Sequence, residues 1–191
     1  MRDTSPRGKT VACRTAILFV AVLLSTLFTS PWLRAGDPAS DARILPNVSG
    51  DLAISEIQMW RLINHDRTDL SVADETHGKA RPLAWDDRLA AVARQHSEEM
   101  ARNGYFSHQG LDGSLPYTRV SRAGIQWRAT GENIAKFPDV QSAQAGFMDE
   151  PKFQHNHRGN IVNPAYTHVG VGIARGADGL LYITQEFASL P

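Results

Sequence analysis

Two runs near the C-terminus alternate with a period of two. From His168 to Arg175, Val169, Val171 and Ile173 alternate with Gly170, Gly172 and Ala174, and Leu180 to Phe187 alternates again after Gly176-Ala177-Asp178-Gly179. Successive side chains of a strand point to opposite faces, so each run presents one apolar face, and the Asp-Gly turn between them predicts an antiparallel hairpin. Glycines inside a strand signal close approach by a neighbouring element, so Gly170 and Gly172 predict that something packs tightly against their face. Such a hairpin has to be covered, and most of the preceding chain has helical spacing.

Asp86 predicts the N-cap of a helix whose inner face is Leu89, Val92, Ala93, His96 and Met100 and which stops at Asn103-Gly104. A first helix over 52–64 is expected from Ile54, Ile57, Trp60 and Leu62 or Ile63, with Asp51 as its cap. Ser114 and Pro116 open a short helix that carries Val120 inward and ends at Ala123-Gly124. Asp139 caps another, with Val140, Ala143, Gln144 and Phe147 on one face. Gly131 to Ala135 has the length of a strand, while residues 65–82 are polar and read as a long loop. Helices interspersed with an antiparallel hairpin predict an α+β layered domain.

The N-terminus carries Arg2, Arg7, Lys9 and Arg14 before an apolar run, Ala16 to Phe28, and a small-residue stretch ending at Ala35. That is the layout of a secretory signal peptide, so the expected organisation is a signal over 1–35, a linker over 36–50 and a domain over 51–191. The apolar run is shorter than the roughly 20 residues that span a bilayer, which favours cleavage; an uncleaved signal anchor is the alternative, and the only membrane association expected. The location implied is secreted, periplasmic or cell envelope. Cys13, the only cysteine, precedes the apolar run, so the exported part has no disulfide. Without residues 1–35 the chain has 15 basic and 19 acidic residues and no basic stripe interleaved with aromatics, which argues against nucleic acid as a partner.

Four polar segments are not demanded by the fold: Gly104 to His108, Gly131 to Ala135, Phe147 to Glu150 and His157 to Pro164. With these in place the chain resembles the CAP superfamily (cysteine-rich secretory, antigen 5 and pathogenesis-related 1 proteins) in its bacterial SCP-like extracellular branch. The matching segments run in order: Asn64 with Arg67, Pro82-Leu83-Ala84-Trp85, Glu99-Met100-Ala101, Phe106-Ser107-His108, Gly131-Glu132-Asn133-Ile134-Ala135, His157-Arg158 with Asn160-Ile161, and Thr167 to Gly172. The resemblance implies a three-layer α/β/α sandwich of CAP type with the C-terminal antiparallel hairpin. It also implies a cleft of two histidines and two glutamates, carried onto His108, Glu132, Glu150 and His157. Phe147-Met148-Asp149-Glu150 looks like the Trp-Tyr-x-Glu of eukaryotic members.

Two neighbouring imidazoles, His108 and His157, are natural ligands for Zn²⁺ with open positions for water, and the carboxylates would orient them or accept a proton. Without metal, the same glutamates would hold the histidines in one tautomer or cationic form. A purely architectural polar network is a further reading. The resemblance implies a binding module for a divalent metal and a small-molecule, lipid or envelope ligand, with Tyr105, Phe106, Tyr117, Trp127 and Phe153 as candidate apolar surface. The alternative is an extracellular hydrolase of peptide or cell-wall glycan with Glu132 or Glu150 as general base. There is no His-Glu-x-x-His helix or serine elbow. A third reading, docking of an envelope protein, would use the loops at 65–82 and 150–156. His96, on an apolar helix face, reads as a hydrogen-bonded core residue, and His155-Asn156-His157 is too short a match to indicate a nuclease.

Overall fold

The computed structural model describes residues 48–191. The expected signal peptide, the anchor alternative, most of the linker and Cys13 lie outside the described residues. Among those described, no helix is long and apolar enough to cross a membrane.

The elements follow in the order α1 (Val48–Thr68), a 3-10 turn (Leu70–Val72), α2 (Ala73–Thr76), β1 (Ala84–Trp85), α3 (Asp87–Asn103), α4 (Pro116–Arg122), β2 (Ala129–Phe137), α5 (Val140–Met148), α6 (His157–Val162), β3 (His168–Arg175) and β4 (Leu181–Ser189). The strands form one sheet in the order β1-β3-β4-β2; β1 runs parallel to β3, and β4 is antiparallel to both its neighbours. The expected hairpin is β3-β4, and the mixed three-layer architecture is that of a CAP-type sandwich.

The alternation in β3 sorts the two layers. Val169, Val171 and Ile173 join Ile183 and Phe187 of β4 in a core with Met59 and Ile63 of α1 and Ala143 and Phe147 of α5. The opposite face carries Gly170 and Gly172, and there the backbone of α3 lies so close that a Cβ on either glycine would overlap Leu89–Ala90 or Ala93–Arg94. Leu89 and Val92 of α3 meet Val120 of α4 and Ala188 of β4 on this side. Ser97 of α3 donates to the Gly172 carbonyl at 2.9 Å, which a bulkier residue at 172 would push away.

The capping residues act as the sequence predicts. Asp86 accepts from the amides of Arg88 and Leu89, Gly104 ends α3 with φ of 67°, and Asp139 accepts from the Ser142 amide at 2.7 Å. The first helix departs from expectation: it begins at Val48, so Asp51 lies in its first turn, and it continues to Thr68. Ile54 is 69% exposed, whereas the buried face is Glu56, Met59, Ile63 and Arg67. Tertiary partners explain the inward charges. Glu56 takes Arg94 of α3 and the Ile173 amide, and Arg67 donates to the carbonyls of Arg81, Ile161 and Asn163. Burial lowers the Arg67 pKa to about 10. The stretch expected as a long loop, 65–82, instead contains the end of α1, the 3-10 turn and α2, with Glu75 of α2 buried against Arg158 of α6.

Candidate functional site

His108 follows α3 on a segment pinned from both sides. The buried His96 ring donates through Nε2 to the Ser107 carbonyl at 2.9 Å, and Arg119 of α4 donates to the His108 carbonyl at 3.0 Å and the Ser114 carbonyl at 3.1 Å. His96 is thus the core histidine expected, and burial lowers its pKa. The His108 ring is 48% exposed, yet its Nδ1 donates at 2.6 Å to Oε1 of Glu132, whose side chain is 1% exposed. The second oxygen of Glu132 accepts from Arg119, whose side chain is 10% exposed. Burial pushes the Glu132 carboxyl up, but the His108 hydrogen bond and the Arg119 charge outweigh it, and the group lies below the ordinary glutamate value.

The second pair is built at a helix start. Asn156 caps α6 by accepting from the Gly159 amide at 2.7 Å, which makes His157 the first helical residue. The first amides of a helix lack internal acceptors. Glu150, just past α5, supplies one: Oε2 accepts from the His157 amide at 2.8 Å, while Oε1 accepts from His157 Nδ1 at 2.5 Å. Burial raises the Glu150 pKa, but the hydrogen bond and charge of His157 hold it below the ordinary range. The Phe147 ring packs 4.8 Å from the His157 ring. From β2, Asn133 donates to the His157 carbonyl at 3.1 Å and to Gln185, Gln185 donates to Gln144, and Gln144 donates to Asp66. A chain of buried amides therefore ties α6 to the sheet and α1.

Glu132 is on the α3 face of β2 and α6 packs on the other, so the pairs approach from opposite layers around the edge strand. They border one open groove of about 500 Å³, lined by His108, Glu132, Glu150, His155, Asn156, His157 and Asn160. All four residues anticipated from the sequence border it. A carboxylate can only accept, so each Nδ1 carries a proton and each neutral ring has Nε2 as its lone-pair nitrogen. Among the described residues, no group of three or more His, Cys, Asp or Glu is gathered closely enough to hold a metal ion.

None of the aromatics expected as apolar surface borders the groove. Tyr105 packs beside Met100, Ile134 and Tyr182, and Trp127 joins the cluster around Leu89. Phe106, Tyr117 and Phe153 are exposed. Three contributors had no role in the sequence reading: Arg119, Phe147 as the ring against His157, and His155 on the groove rim. The neighbour of Arg119 in sequence, Val120, gave the helix its inward signal, and nothing in a seven-residue helix marks a second inward residue as an arginine.

Residues 60–187, more than half the chain, match the cysteine-rich secretory protein family, CAP. The uncharacterized membrane protein YlbC of Bacillus subtilis is 37% identical over 112 residues, 58% of this chain and 30% of its own length. The uncharacterized protein YkwD of the same organism is 33% identical over 120 residues, 62% of this chain and 44% of its own. The chain therefore spans less than half of these curated relatives. An extracellular protein containing an SCP domain from Bacillus anthracis superposes with a TM-score of 0.58 at 30% identity, covering 71% of this chain and 40% of that one. An outer surface protein of Borrelia burgdorferi, at 16% identity and a TM-score of 0.57, covers 76% and 96% and shares the fold. The chain belongs to the cysteine-rich secretory protein family, and its relatives agree with a secreted or cell-envelope location.

Proposed function

We propose that this member of the cysteine-rich secretory protein family is an exported binding module, residues 51–191 forming the domain and 1–35 its signal, and that its groove takes a divalent metal such as Zn²⁺ between His108 and His157. The observation that carries this reading is the pairing of each Nδ1 with a carboxylate, His108 to Glu132 and His157 to Glu150, which is the arrangement that orients imidazoles toward a metal. The donor set fits two protein ligands, so the remaining positions would belong to solvent or to a bound molecule. When bound, the ion would supply Lewis acidity toward a small ligand. The polar lining favours a small polar ligand over a lipid.

The same geometry favours holding over cutting. Glu132 has both oxygens engaged, by His108 and Arg119, and Glu150 has both engaged by the ring and amide of His157. A general base needs a lone pair directed at the proton it removes. Each of these four oxygens already accepts from a donor of the protein, so proton abstraction would compete with an existing bond.

Calorimetric titration of the purified protein with Zn²⁺ tests the reading, with His108→Ala and His157→Ala as controls. The expected result is one site in the wild type, weakened by each substitution and lost in the double variant. No binding in the wild type, or equal binding in the double variant, overturns it. Turnover of casein or peptidoglycan that Glu132→Gln abolishes would favour the hydrolase instead.

A further inference from the structure

We propose that Glu186 is a positioning residue of this site, sharing one proton with Glu132 across β2 and β4 so that Glu132 is held fixed behind His108. Glu132 and Glu186 are direct partners in the antiparallel register, so their side chains project on the same face, the one covered by α3. Like charges directly opposed on a sheet repel. Glu186 is 0% exposed, and no N–H or O–H donor of the described residues reaches either of its carboxyl oxygens. The side chain within hydrogen-bonding reach is the carboxylate of Glu132. Two carboxyl groups in contact need a proton between them.

The surrounding charges say which group carries it. One guanidinium, Arg119, faces both carboxyls and is bonded to Glu132. His96 of α3 and Tyr105 are further titratable neighbours of Glu132, and burial disfavours the charged form of each. From β3, the residue opposite Glu186 is Gly170, which brings no side chain. Glu132 is hydrogen-bonded by Arg119 and His108, whereas Glu186 has no bonded donor and only the charge of Arg119 nearby, so the proton resides on Glu186. Burial first, then the Glu132 charge, push the Glu186 pKa well above the ordinary value.

The O–H of Glu186 then becomes the third donor to Glu132, beside His108 Nδ1–H and the Arg119 guanidinium. A carboxylate held by three donors from a loop, a helix and a strand cannot rotate, and it fixes the His108 ring with it. The inference stands on the carboxyl pair and holds whether or not the groove binds metal.

The test compares the wild-type protein with Glu186→Gln, whose amide replaces the donor, and Glu186→Leu, which removes it. The infrared spectrum of the wild type near neutral pH should contain the carbonyl band of a neutral carboxylic acid, absent in Glu186→Gln. A raised folded-state pKa makes the wild type lose stability as pH rises above the ordinary glutamate value, so the melting temperature of Glu186→Gln should increasingly exceed it as pH rises above about 4.5. The downfield Nδ1–H resonance of His108 should persist in Glu186→Gln and be lost in Glu186→Leu. The proposal is overturned by a wild type without the band, by parallel pH profiles, or by an unchanged His108 resonance in a folded leucine variant. Should the leucine variant not fold, the first two measurements decide.

Discussion

Replacing Arg119 with methionine gives the sharpest measure of how the site is held. Methionine keeps most of the apolar stem, so the loss comes from the guanidinium and its bonds to Glu132 and to the carbonyls of His108 and Ser114. The Arg119 and Glu132 side chains are 10% and 1% exposed, which places the pair among buried ones. Removing one partner of a buried pair costs about 3–5 kcal/mol, against at most about 1 kcal/mol for an exposed pair. A loss of about 3 kcal/mol near neutral pH is expected, a large part of the roughly 5–15 kcal/mol of an ordinary domain. The assay is urea unfolding with the slope checked for constancy. In the wild type, Glu132 lies below its ordinary value, so its stabilisation is present above the unfolded-state value and disappears as pH falls through the folded one. Without Arg119, burial dominates and protonation of Glu132 favours the fold, so the deficit of the variant should shrink as pH falls through about 4.5. Adding Glu132→Gln should recover part of the loss. A deficit under about 1 kcal/mol, or one that is flat with pH, would refute the reasoning.

Glu150→Gln should leave the fold intact and weaken Zn²⁺ binding about 10–100-fold through the loosened His157 ring, with His155→Ala nearly neutral, both read by calorimetry. Gly172→Ala puts a Cβ into the α3 backbone at Ala93–Arg94 and should cost at least the roughly 1–3 kcal/mol of an overpacked core, measured by thermal unfolding. Arg67→Met strands the carbonyls of Arg81, Ile161 and Asn163, at about 1–3 kcal/mol for each left buried and unsatisfied, and urea unfolding should register a loss of about 3 kcal/mol or more.

Sequence legibility followed how local the determining contact is. The hairpin, the caps at Asp86 and Asp139 and the stop at Gly104 depend on neighbours a few residues away, and their signals stood in the chain. Gly170 and Gly172 told of a close neighbour without naming it, because that it is α3 follows from the sheet order. On α1, Trp60, Leu62 and Ile63 pack on the core as their spacing predicts, but Ile54 is exposed, and Glu56 and Arg67 are turned inward by partners far along the chain, Arg94 and the carbonyls around α6. The four groove residues were reached through the family resemblance; periodicity would have left Glu132 as one carboxylate in a strand. Glu186 was legible only as an acid amid an alternating run, and its meaning appears once the register sets it against Glu132.

That register bears on what kind of site this is. A polar network whose sole task is to join helices to the sheet gains nothing from a second carboxyl buried without a donor, since a leucine at 186 would pack without desolvating an acid. The amide chain from Asp66 through Gln144, Gln185 and Asn133 already ties the layers together and ends on the His157 carbonyl. Glu186 adds no tie of that kind; it bears on the one carboxylate that orients His108. One imidazole is therefore backed by a buried acid pair with Arg119, the other by a helix start and a half-exposed glutamate. Arg119 holds the charge of Glu132 in addition to His108, whereas His157 is the one charge partner of Glu150, so acid should release His157 from Glu150 before it frees His108 from Glu132. Ring resonances of the two histidines followed across an acid titration would read that order, and simultaneous release would mean that the layers hold the pairs equally.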